Sequence, residues 1–160
     1  MSETTLKVDV TYSQLAVFLS SLQNPFNDWT SKHVDQGFAW RQGSVSFRTL
    51  IESGQHYIEL VLTHGSVPIL YEAIRVIEVP FDICDDGAIE IASIADTVRL
   101  SLPCGKYSLR CELLPLRSDG CGQVRLVFSG CQVAEFKIVR ADKELVLEGE
   151  LLKHAEAAMI

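Results

Sequence analysis

Apolar and polar residues alternate with a period of two through most of this chain, the period at which successive side chains reach opposite faces of a strand. The firmest run is Tyr107 to Leu114, with Tyr107, Leu109, Cys111 and Leu113 on one face. Val98, Leu100 and Leu102 alternate with Arg99 and Ser101, and Val124, Leu126 and Phe128 alternate with Arg125, Val127 and Ser129. Leu6, Val8, Val10 and Tyr12 open a stretch to Leu19 that reads as one or two strands, and Ala134 to Arg140 reads as a last one. Arg48 to Ser53 continues a strand from Ser44 toward Gly54, and His56 to Leu62 returns, which predicts a hairpin between them. Ile74 to Phe81 is apolar on both faces and is expected deep in a sheet, whereas Gly65 to Tyr71, with Pro68, reads as a loop or edge.

The alternation stops between Pro25 and Phe47. Thr30 can cap a helix beginning Ser31-Lys32-His33, and Gly37 supplies the left-handed residue that ends it. One short helix is therefore predicted near residues 30–37. Phe38 and Trp40 then alternate with Val45 and Phe47 around Gln42-Gly43, a hairpin signal. Trp29 and Trp40 flank the helix, and large aromatics of this kind mostly bury area, so both are expected to anchor the helix to a sheet.

The C-terminal stretch reads two ways. Glu144 to Glu150 alternates, while Leu145, Glu148, Leu152, Ala155 and Met159 fit a helical face behind a capping Asp142. The expectation is a partly helical, weakly held tail. Some eight to ten short strands, one helix and Gly or Pro punctuation predict an all-β, antiparallel sandwich or barrel, built as a single domain over residues 1–160 without internal repeats.

Charge narrows the function. Twenty-one acids against 14 bases give a net charge of -7, which argues against a nucleic-acid surface, because phosphate contacts need clustered Lys and Arg. With neither a leader-like start nor an apolar run of spanning length, a cytoplasmic protein is expected. The five cysteines, Cys84, Cys104, Cys111, Cys121 and Cys131, lack C-x-x-C spacing and are expected to be buried, reduced thiols. His33, His56, His64 and His154 stand in no ligand spacing, and neither a nucleophile elbow nor a phosphate loop occurs. No catalytic residue, metal or cofactor is expected.

What remains is an acid run. Glu78, Asp82, Asp85, Asp86, Glu90 and Asp96 lie between Arg75 and Arg99 with no Lys or Arg among them. Such a run makes a local negative field that can steer a basic partner. The plainer reading is a solvated turn, since Asp85-Asp86-Gly87 is itself a tight-turn signal.

Several segments resemble one family. Val10-Thr-Tyr-Ser-Gln-Leu-Ala-Val-Phe18, Asn27-Asp-Trp-Thr30, Gly37-Phe38, Gly43-Ser-Val-Ser-Phe47, Ile77-Glu-Val-Pro-Phe81 and Leu100-Ser-Leu-Pro-Cys-Gly-Lys-Tyr-Ser-Leu109 are similar, in order and spacing, to the bacterial competence protein J family over about residues 8–115. The chain departs from the family's namesake in a longer C-terminal region from about Gly120. The resemblance implies a non-enzymatic inhibitor that binds a DNA nuclease made beside it. Combined with the charge, it makes Asp82, Asp85, Asp86, Glu90 and Asp96 the expected partner-binding residues, acting by occlusion of a basic DNA groove. Direct nucleic-acid and membrane contacts are not expected, and edge strands leave room for a homodimer. A small-molecule-binding barrel lined by Trp29, Phe38, Trp40 and Tyr57 is the alternative.

Overall fold

A computed structural model describes residues 2–84 and 86–159. It contains two facing sheets. In the six-stranded sheet the order is β1 (Ser2–Val10), β5 (Gly54–Thr63), β10 (Gly122–Gly130), β9 (Gly105–Leu114), β6 (Arg75–Ile83) and β11 (Lys137–Arg140). In the five-stranded sheet it is β3 (Phe38–Arg41), β4 (Ser44–Arg48), β2 (Gln14–Leu19), β7 (Ala88–Ser93) and β8 (Asp96–Ser101). Every pairing is antiparallel except β5 with β10, which run parallel. The two sheets stay open and packed face to face, so the fold is a sandwich and not a barrel.

The alternation sets the core. Val8, Leu15, Val17, Phe47, Ile58, Val79, Phe81, Ile91, Leu109, Leu126 and Phe128 point between the sheets and are fully buried. Trp40 ties the edges together: it lies edge-on to Phe136 at 5.0 Å and its indole N–H donates to the Pro80 carbonyl at 2.7 Å. The expected helix is present as α1 (Ser31–Gln36), with Thr30 as N-cap, a reciprocal capping box with His33, and Gly37 at φ 89°. Trp29 meets His33 on this helix, so the two tryptophans have separate duties: one on the helix, one between sheets.

Alternation predicts strands better than it predicts their partners. β4 and β5 form no hairpin; they lie in different sheets, because β5 pairs with β1 and β10. Likewise the Asp86-Gly87 turn and the Cys104-Gly105 turn both carry the chain from one sheet to the other. The cysteines also differ from expectation. Cys111 alone among them is buried, where burial pushes its thiol pKa up; Cys84 and Cys104 are exposed, and Cys121 and Cys131 half-buried, because they sit beyond strand ends.

The tail is neither helical nor weakly held. Apart from one turn in which Leu145 N–H donates to the Asp142 carbonyl, residues 141–159 run across α1 and the adjoining loop without helix. Asp142 accepts twice from the fully buried Arg75, Val146 N–H donates to Asp35, and Leu152 is bonded at both backbone atoms by the Gln36 side chain. Of the apolar residues that fit a helical period, Leu145 and Ala155 are buried singly against the body, which an extended chain does equally well, while Leu152 and Met159 stay exposed. A second long connection, residues 64–74, is clamped to the outer face of the six-stranded sheet. Arg110 and Arg125 share the fully buried Glu112, and their remaining N–H groups hold the Val67 and Pro68 carbonyls.

Candidate functional site

The outer face of the five-stranded sheet carries a groove of about 560 Å³. Outward positions of β2 and β7 are Phe18 and Ala92, buried beneath Phe26 from the connection to α1. Phe18 and Phe26 meet edge to face at 5.6 Å. Glu90 and Asp96 line the same groove, together with Ser20 and Thr97. The result is an apolar floor walled by carboxylates, which suits the aliphatic stem and charged head of a Lys or Arg.

The fold divides the acid run. Glu90 lies on β7 and accepts from the Thr97 hydroxyl at 3.1 Å; Asp96 opens β8 and accepts from the Asp9 backbone N–H at 2.7 Å. Asp86 accepts from the Ala88 N–H and so shapes its own turn. Asp82 is on β6, in the other sheet, and touches Gln42 at 3.5 Å. Asp85 lies outside the described residues. The run contains no base in sequence, yet register places Lys106 opposite Asp82 and Arg99 opposite Glu90, which offsets part of the field.

A second cavity, of about 340 Å³, is lined by Tyr12, Ser13, Gln14, Trp29, Val34 and Arg48. Trp29 Nε1 and Gln14 Oε1 are buried there without a hydrogen-bond partner. The four aromatics of the alternative pocket do not share it. Phe38 and Trp40 pack on Phe136, while Tyr57 lies on the opposite sheet beneath Arg117 at 4.0 Å and Lys7 at 5.1 Å.

Sequence reasoning missed Phe18 and Phe26 as groove residues, because Phe18 stands in a continuous apolar run and Phe26 in a loop. It also missed Tyr12, 71% exposed on the tight β1–β2 turn, because no Gly or Asn marks that turn. Among the described residues no cluster of three or more His, Cys, Asp or Glu could hold a metal, and no helix is long and apolar enough to cross a membrane.

These features define a two-sheet sandwich with an acid-lined groove on an outer face. The comparisons specify it further: residues 7–129 match the family model of Competence protein J (ComJ), and the chain belongs to that family. A relative from Bacillus subtilis (strain 168), described as a DNA-entry nuclease inhibitor, is 29% identical over 110 residues, 68% of this chain and 80% of the relative. The crystal structure of ComJ from Bacillus subtilis, described as an inhibitor of the DNA-degrading activity of NucA, has the same fold at a TM-score of 0.70. That match has 23% identity and covers 80% of this chain and 96% of that one. Strand β11 and the tail lie beyond the family match.

Proposed function

We propose that this chain is a protein inhibitor of a DNA nuclease, acting by binding and not by chemistry. The observation that carries the reading is its relationship, across 80% of the relative's length, to a DNA-entry nuclease inhibitor. The partner is a nuclease with a basic DNA groove, and the inhibitor covers that groove so that DNA cannot enter. The seat is the groove between Phe18, Phe26, Glu90 and Asp96, with Asp86 and Asp82 extending the acidic surface around the sandwich end. An acidic rim speeds encounter with a basic surface, and a desolvated apolar floor holds the contact.

The test is capture from the native cell extract with the purified chain, identification of what binds, and a DNA-degradation assay on it. A captured nuclease whose activity falls in proportion to added chain supports inhibition; a chain that captures none, and leaves DNA degradation unchanged, removes it. The seat is tested separately. Glu90→Gln with Asp96→Asn should slow association about tenfold at low salt and flatten its salt dependence, whereas Asp82→Asn alone should do less. The reverse order would move the seat to the other sheet.

A further inference from the structure

The pairing of β6 with β9 is unbroken from Arg75 opposite Leu113 to Ile83 opposite Gly105. The ladder ends there, at a bend on Cys104; carried one step past its last pair, the same register would bring Cys84 opposite Cys104. Parity agrees: Phe81 and Ile83 face the core and are buried, Asp82 and Lys106 face outward, and Cys84 and Cys104, two residues on from those, are both exposed. Residues directly opposite in an antiparallel pair have Cα atoms about 4.5–5.5 Å apart, inside the span a disulfide bridges.

The neighbouring chain supports the same juxtaposition. Leu102 N–H donates to the Gly87 carbonyl at 2.9 Å and Gly87 N–H to the Cys84 carbonyl at 3.2 Å, so the two connections that cross between the sheets run side by side here. They approach so closely that a Cβ on Gly87 would stand 2.3 Å from the Leu102 oxygen. Cys131 competes less well. Its N–H bonds the Lys106 carbonyl, which places it diagonal to Cys104 and not opposite.

We propose that Cys84 and Cys104 are a cross-strand dithiol that is oxidised reversibly to an intrachain disulfide by a small-molecule disulfide. The thiolate of one cysteine attacks the small disulfide, forms a mixed disulfide and releases one small thiol. The thiolate of the other attacks the protein sulfur of that mixed disulfide, forms the Sγ–Sγ bond and releases the second. The pair gives up two electrons and two protons, and the small disulfide takes both. The bond staples the connection that bears Asp86 to the one that bears Pro103, so the order of the acidic turn follows the thiol state. The inference does not depend on the nuclease reading.

The experiment incubates the folded full chain with oxidised glutathione, blocks remaining thiols by alkylation, and reads intact mass and peptide maps. The expected product has lost two hydrogens, yields a peptide joining Cys84 to Cys104, and reverts with reduced glutathione. Cys84→Ser or Cys104→Ser should abolish that product and leave a glutathione adduct on the remaining member of the pair. Alkylation of both cysteines after oxidation, a link through Cys131, or a link between two chains would each overturn the proposal.

Discussion

The side-chain amide of Gln36 and the backbone of Leu152 bond each other twice, Leu152 N–H to Gln36 Oε1 at 2.8 Å and Gln36 Nε2 to the Leu152 carbonyl at 2.9 Å. Gln36 is fully buried and imitates a strand partner for one residue of tail, while the same Nε2 also donates to the Phe38 carbonyl. Gln36→Leu fills the volume but leaves buried backbone groups unpaired, at a cost of about 2 kcal/mol. Hydrogen exchange should then rise around residues 150–154 while the amides of β5 and β10 stay protected.

Arg75 is fully buried and bidentate to Asp142, with its third nitrogen donating to the Arg48 carbonyl at 2.7 Å. Asp142→Ala removes both close carboxylate bonds of that guanidinium, leaves it only the more exposed Glu144 at 3.6 Å, and should destabilise the chain by about 3 kcal/mol, read by urea denaturation. Replacing both, Arg75→Met with Asp142→Leu, should recover much of the loss, because apolar packing substitutes for a buried pair better than half a pair does.

His56 predicts a pH dependence. Burial lowers its pKa below the ordinary 6.5, against weaker opposing contributions from the Gly54 carbonyl and Asp9. A base with a lowered folded pKa binds fewer protons folded than unfolded. Stability is therefore undiminished above about pH 7 and falls as pH drops through about 6.5 toward the lower folded value, then levels. His56→Gln should melt at a lower temperature at pH 7.5 but lose less on going to pH 5.5 than the parent. Equal losses in the two proteins would assign the slope to another group.

Tyr12 and Ser13 make the two-residue turn between β1 and β2 with φ of 56° and 58°. Left-handed backbone costs a residue with a Cβ about 1–2 kcal/mol, and Asn-Gly is the pair such a turn prefers. Tyr12→Asn with Ser13→Gly should raise the melting temperature by several degrees, since the bonds this turn makes to Glu52 and Thr49 use backbone only. An unchanged or lower melting temperature would mean that the exposed Tyr12 ring packs usefully where it lies.

Local chemistry made much of this legible. Thr30 and Gly37 bound the helix because a capping hydroxyl and a left-handed residue act within a few positions. Tyr107 to Leu113 announced a strand because period two survives folding unaltered. Strand partners did not show, since nothing in Ser44–Arg48 or Gly54–Thr63 states which sheet each joins. The acid run was legible as charge but not as a surface. Whether Asp82 and Glu90 share a face, and that Lys106 and Arg99 stand opposite them, depends on register across distant segments. The tail misled because the spacing of Leu145, Leu152, Ala155 and Met159 fits a helical face, yet only Leu145 and Ala155 are buried, and anchoring two such residues needs no helix.

The parallel pairing of β5 with β10 sets when this protein can exist. His56 waits opposite Gly122, more than sixty positions later, and the ring occupies the space a side chain there would need. A ribosome that has made β1 through β9 has made every strand of the five-stranded sheet but only separate pieces of the other, β1 with β5 and β6 with β9. Strand β10 is the keystone that joins them. Stalling or truncation before residue 122 therefore releases a chain whose β5 and β9 edges stand open, a species for chaperones and proteases and not a shorter folded protein.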